Sequence, residues 1–264
     1  MNPAAQPAEE SVPVDALSFT RAETDNYFDN LLALSGGLGR WHHARQPVSV
    51  DEQTLIRTNR DTLYGSMIVD ITAGAELTMP EADGRNRTAM IVNQDHYINR
   101  VFDRPGTYQL SIAALSPYVL VAVRTLVDPT DPRDLEAVTA LQDRLALSAP
   151  SATPFNHPAW DKKTLTATRN TLLELARASV STAMTFGSRQ QIDPIAHLLS
   201  TASGWGGLPA GCRPSRRRTS ASSRNCRPGT THSLWAKSQS GRSGRSASTT
   251  RRVISRRTTW TGIR

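Results

Sequence analysis

The last fifth of this chain cannot build a core. From Ala210 to Arg264 it carries thirteen Arg and one Lys and no Asp or Glu, and its branched aliphatics are Leu234, Val253, Ile254 and Ile263 alone. So little apolar surface cannot offset the entropy of ordering the segment, which is expected to be disordered by itself. Any fold has to come from the first 209 residues. The tail also inverts the charge. The chain has 31 basic and 23 acidic side chains, a net of +8; removing the tail's 14 leaves 17 against 23, a net of −6. The basic character belongs to the tail, which excludes reading the body as a basic nucleic-acid-binding domain with its charge on a folded face.

The expected organisation is a flexible leader over residues 1–14, a folded domain over 15–209 and the basic tail over 210–264. A body of that length holds one sizeable core or two small ones. Both cysteines, Cys212 and Cys226, lie in the tail, so the body has no disulfide framework, thiolate metal site or cysteine nucleophile. No run nears the roughly eighteen apolar residues of a membrane span. The leader is rich in Ala, Pro and Glu and lacks the basic and apolar regions of a secretory signal, which makes the cytoplasm the default location.

Along the body, Thr20 and Glu23 have the spacing of a capping box. Tyr27, Leu31 and Leu34 follow at helical intervals until Gly36-Gly37 stops the helix. The period then changes to two. Met67, Val69 and Ile71 mark one strand, and Leu77 and Met79 follow the turn at Ala73-Gly74. Arg87 to Asn93 and Tyr108-Leu110-Ile112 mark two more. Tyr118 to Val127 is apolar on both faces apart from Arg124, as suits a central strand packed on both sides. Helices come next. Asp131-Pro132 caps one whose buried stripe is Leu135, Val138, Leu141 and Leu145. The longest is expected over Thr164 to Phe186, and Asp193-Pro194 starts the last, with Ile195, Leu198 and Leu199 inward until Gly204. Four or five strands followed by helices predict an α+β fold, with helices covering a mostly antiparallel sheet.

The densest polar segment is Arg57-Thr58-Asn59-Arg60-Asp61-Thr62-Leu63-Tyr64, leading into a strand; Asn93-Gln94-Asp95-His96-Tyr97 leaves another. If these strands are neighbours, Asp61, Tyr64, Asp95, His96, Tyr97 and Arg124 converge at one end of the sheet. Asp and His would then supply acid–base capacity and Arg124 a carboxylate or anion fork, the equipment of a hydrolase- or lyase-type enzyme. The competing reading is structural: Arg124 pairs with Asp61 or Asp95, and Asn59 and Asp61 tie down a turn. His42-His43 is the only histidine pair, but neighbours on a strand point to opposite faces, so no metal is expected there. Gly36-Gly37-Leu38-Gly39 lacks phosphate-loop spacing, and Gly204-Trp205-Gly206-Gly207-Leu208-Pro209 suggests a docking corner between two domains. GxSxG, Walker and HExxH sequences are absent, and no cofactor is expected.

Several of these stretches together resemble a bacterial two-domain family, built from the domains of unknown function numbered 1254 and 1214. They are Ile56-Arg57 with Asn59 to Tyr64, Asn93 with Asp95 to Tyr97, Arg124 to Pro129, Leu141-Gln142-Asp143, Pro158 to Asp161, Phe186-Gly187, Asp193-Pro194 and Gly204 to Pro209. The resemblance spans the first domain, about Val14 to Pro209. It implies jelly-roll-like β-sandwich domains that assemble into oligomers, with no catalytic residues to carry over. After Pro209 the family continues into its second domain, whereas this chain turns Arg/Ser/Thr-rich. Read one base earlier with permitted codons, Arg242 to Arg252 becomes FWSVSVYNAAG, and the following residues extend it to YFEKNDLDGY. That string is similar to the family's second domain, so the tail is expected to be out of frame.

Three functional expectations follow. The first is a truncated first domain with a ligand-binding or structural role, whose partners are the missing second domain, further copies of the chain or a small molecule. The second is the acid–base enzyme. The third is a domain whose tail binds nucleic acid non-specifically through phosphates.

Overall fold

The structure, a computed structural model, describes residues 11–47, 60–112, 116–177 and 187–206, with 204–206 as backbone only. The expectations for residues 1–10, for Arg57, Thr58 and Asn59, for the helix beyond Arg177, for the Trp205 side chain and for 207–264 lie outside the described residues.

In chain order the elements are α1 (Phe19–Ser35), β1 (His42–His43), β2 (Thr62–Asp70), β3 (Ala75–Met79), β4 (Arg87–Asn93) and β5 (Ile98–Phe102). Then come β6 (Gly106–Leu110), β7 (Tyr118–Leu126), α2 (Pro132–Asp143), β8 (Ala146–Ser148), α3 (Lys162–Arg177) and α4 (Pro194–Gly206). The class is α+β, as the pattern predicts, and every strand pairing is antiparallel. A five-stranded sheet runs β1-β2-β7-β4-β5 and a three-stranded sheet β6-β3-β8.

The period-two strands sort their side chains between two cores. Met67, Val69 and Ile71 of and just after β2, Val119, Val121 and Val123 of β7, and Ala89 and Ile91 of β4 pack against Leu77, Met79 and Leu110 of the smaller sheet. Their alternates Ile68, Leu120 and Val92 meet Phe28 and Leu31 of α1 on the other face. β7 is therefore apolar on both sides for the expected reason: it is the middle strand of the large sheet and covered on both faces. Phe19 and Ala22 of α1 with Leu165 and Leu172 of α3 and Ala202 of α4 make a third cluster, which unites the helices. Leu63, Val127 and Val138 make a fourth beneath α2. Among the described residues, no helix is long and apolar enough to cross a membrane.

Several local expectations change. Three short strands, β1, β5 and β8, join those anticipated, and Ile112 lies beyond β6 and is exposed. The start of α1 is not a capping box. Ser18 occupies the N-cap position, and Asp15 Oδ1 accepts the Leu17 and Ser18 amides just before it. Glu23 is instead buried one turn into the helix. Gly36, at φ 76°, ends α1 with its amide returned to Leu32 O, the left-handed stop that glycine permits. Asp131 caps α2 as expected, accepting the Arg133 amide. Leu34, Leu175 and Ile195 point outward, and the α4 backbone continues through Gly204 to Gly206.

Candidate functional site

The register decides how the six polar candidates are arranged. On β7, Arg124 stands opposite Tyr64 of β2 and Thr88 of β4, whereas Asn93, the last residue of β4, stands opposite Val119. Five residues of strand separate the two positions, about 17 Å at about 3.4 Å per residue. The six residues therefore do not converge. Asp61, Tyr64 and Arg124 lie at one end of the large sheet and Asp95, His96 and Tyr97 beyond the other, because an antiparallel β7 reverses direction relative to both neighbours.

At the first end the Arg124 guanidinium carbon sits 5.9 Å from the centroid of the Tyr64 ring, a cation–π arrangement across the strand pair. Asp61 is exposed, and its backbone carbonyl accepts the Val127 amide. Beside this end, Gln142 of α2 is buried and its amide nitrogen donates to the carbonyls of Ala44 and Tyr64. Arg45 donates to its side-chain oxygen and to Asp143. The imidazole of His43 lies against Gly65, where a Cβ would stand 2.8 Å from Nδ1, and stacks on Trp41. Burial holds His43 down to about 4. Among the described residues, no group of three or more His, Cys, Asp or Glu side chains could hold a metal ion.

The second end is denser. Asn93 Oδ1 accepts the amides of Asp95 and Tyr97, making a tight turn that puts His96 at φ 63°. Asp95 is gripped by Arg21 of α1 through Nε at 3.0 Å and Nη2 at 2.5 Å. One turn along α1, Asp25 is buried and accepts from Gln94 Nε2 at 3.2 Å and Trp160 Nε1 at 3.0 Å. Glu23, also buried, takes a two-point contact from Arg169 of α3, 2.9 Å at Nε. His197 of α4 lies 2.9 Å from the Asp95 carbonyl through Nε2. A carbonyl only accepts, so Nε2 carries the proton. The same ring stacks on Tyr97 with centroids 4.1 Å apart, and 6.0 Å away lies His96.

The electrostatics follow from enclosure. His96 is 4% exposed, and burial reinforced by His197 pushes it down to about 3, so it is neutral near pH 7. His197 is lowered by the same desolvation, although the Asp95 carbonyl and charge oppose this. Asp25 is raised, burial outweighing its bonds to Trp160 and Gln94. Arg21, Glu23, Asp25, Trp160, Arg169 and His197 were not among the sequence candidates, since their partners lie up to 146 residues away. One signal was legible: Glu23 and Asp25 interrupt the apolar face of α1 between Phe19, Ala22 and Phe28. Chemically the assembly pins α1, α3 and α4 to the exit of β4, with each carboxylate already engaged.

Fold and site together define an α+β protein whose antiparallel sheets carry a helical cap, held to the exit of β4 by a half-exposed Arg21–Asp95 ion pair and by the hydrogen bond from Gln94 to the buried Asp25. No family model matches the chain, and no curated protein matches it. Among solved structures it is similar to the VPA0106 protein from Vibrio parahaemolyticus, with a TM-score of 0.54 at 13% identity, over 74% of this chain and 66% of that one. At that identity the likeness is one of fold. The chain spans just under two thirds of the length of the protein it matches.

Proposed function

We propose that this chain is a non-catalytic β-sandwich module with a binding or structural role, corresponding to the first of two domains in the family its motifs resemble. The observation that carries this reading is the fate of Asp95 and His96. An active site needs such groups open and free to exchange protons. Here Asp95 is held by Arg21, and His96 is enclosed beside His197. The register also leaves Arg124 and Tyr64 at the other end of the sheet. The hydrolase- or lyase-type alternative therefore loses its assembled acid–base set.

The tail belongs to the same proposal. Its composition and its re-reading one base earlier support a lost reading frame, with the second domain as the missing partner. Sequencing the gene tests it: a one-base slip near Pro209 that restores the second domain is the expected result, and an uninterrupted frame refutes it. Catalysis is tested with Asp95→Asn and His96→Asn. Both variants should lose stability in step with any loss of function. An activity abolished in fully folded variants would overturn the non-catalytic reading. Binding of a nucleic-acid probe that weakens with salt and vanishes on deleting 210–264 would favour the tail as a functional arm.

A further inference from the structure

Arg87, the first residue of β4, is 3% exposed. Its Nε donates to Thr125 Oγ1 at 3.1 Å and its Nη1 to the Pro80 carbonyl at 3.2 Å, while Nη2 is buried with no hydrogen-bond partner. Among the described residues, no carboxylate forms an ion pair with it. Two of the acids on the adjoining elements are engaged, and Glu81 is exposed. Asp134 of α2 binds Arg85 at 2.6 Å and the Asp128 amide, and Asp83 lies 3.9 Å from Nη2 of Arg144. Arg144 Nη2 also donates to the Glu81 carbonyl at 3.0 Å and bears on Arg87 as a second positive charge. The 80–86 loop between β3 and β4 is thus tied to α2 near the helix start, by Arg85, and just past its end, by Arg144. Arg87 sits at the base of that loop.

A buried cation without a counter-charge is costly, and a methionine would fill the same volume without that cost. What the guanidinium adds is donors: Nη2 is unspent, and the adjacent Thr125 hydroxyl can give its own proton. At Arg87 the opposing charge of Arg144 outweighs the favourable one of Asp83. We propose that Arg87, with Arg144 and Thr125, forms an anion-binding site beneath the 80–86 loop that takes a small oxyanion, the carboxylate or phosphate group of a ligand. The site lies apart from the helical cap and stands whether or not the chain is half of a two-domain protein.

The test is thermal unfolding of the full chain in sodium phosphate or sodium acetate, against sodium chloride at matched ionic strength. The expected result is a saturable rise in Tm of a few degrees, on the order expected for a ligand well above its Kd. A rise in phosphate alone assigns a phosphate group, and one in acetate alone a carboxylate. The rise should vanish in Arg87→Met and shrink in Arg144→Ala. General salting effects raise all three proteins alike, and that outcome overturns the proposal. So does an absence of any anion-specific rise in the parent. Should Arg87→Met fail to fold, Arg144→Ala decides: an undiminished rise there refutes the site.

Discussion

Acidification should loosen this protein well above the pH at which its carboxylates titrate, with His96 a main cause. In the unfolded chain its imidazole takes up a proton near the ordinary value of 6.5; in the fold, burial and His197 hold it down to about 3. The lowered value means that the unfolded state binds the extra proton. The stability tied to His96 is therefore fully present above about pH 6.5 and drains away as the pH falls toward 3. One proton corresponds to about 1.4 kcal/mol per pH unit, so the window holds about 5 kcal/mol for this residue alone. His197 and His43 are lowered too and act in the same direction, while Asp25, raised by burial, acts in the opposite one. The perturbation that isolates His96 is His96→Asn, since asparagine tolerates the left-handed φ of 63° and does not titrate. Urea unfolding at a series of pH values between about 7 and 4 gives stability against pH. Below about pH 5.5 the variant's slope should be shallower than the parent's by about 1.4 kcal/mol per pH unit, and at pH 7 the two should nearly coincide. Parallel slopes, or a His96 resonance titrating near 6.5 in the native state, would refute the reasoning.

Three further outcomes follow from the geometry. Gly65→Ala should cost about 1–3 kcal/mol in chemical unfolding, because its Cβ would stand 2.8 Å from His43 Nδ1, and His43→Ala in the same chain should recover much of it. Arg169→Ala should cost about 3–5 kcal/mol by leaving Glu23 buried and unpaired, whereas Glu23→Leu with Arg169→Met should come near neutral. Asp131→Ala removes the acceptor for the Arg133 amide at the start of α2 and should lower stability by about 1 kcal/mol, read as a lower urea midpoint with an unchanged slope.

What the sequence revealed depended on how locally each feature is encoded. β2, β4 and β7 announce themselves because their alternation is dictated by two covered faces. β5 did not: its outermost position in the sheet leaves Arg100 and Val101 exposed, and the register shift between Ile91 and Val92 breaks its pairing with β4. Thr20 and Glu23 had the spacing of a cap, but Glu23 is committed to Arg169, a residue on another helix. The polar cluster around Asp95 was half visible. Its strand-exit half lies in one short run of sequence, while Arg21 comes from α1, Trp160 from the segment before α3 and His197 from α4. The wrong inference was that two polar segments flanking strands share one end of the sheet. Strand direction decides that, and nothing within either segment encodes it.

The position of β7 between β2 and β4 has a consequence for the order of assembly. The pairings in the heart of the sheet join Thr62 to Leu126 and Asp70 to Tyr118 on one side, and Arg87 to Thr125 and Asn93 to Val119 on the other. Neither β2 nor β4 has its central neighbour until Leu126 has been synthesised, so no local hairpin can seed the middle of this sheet. Loops this long slow folding more than they weaken the finished protein. During synthesis β2 and β4, though β1 and β5 can pair with their outer edges, must wait with the edge that faces β7 open, and this is the interval in which the nascent chain is most exposed to association with other chains.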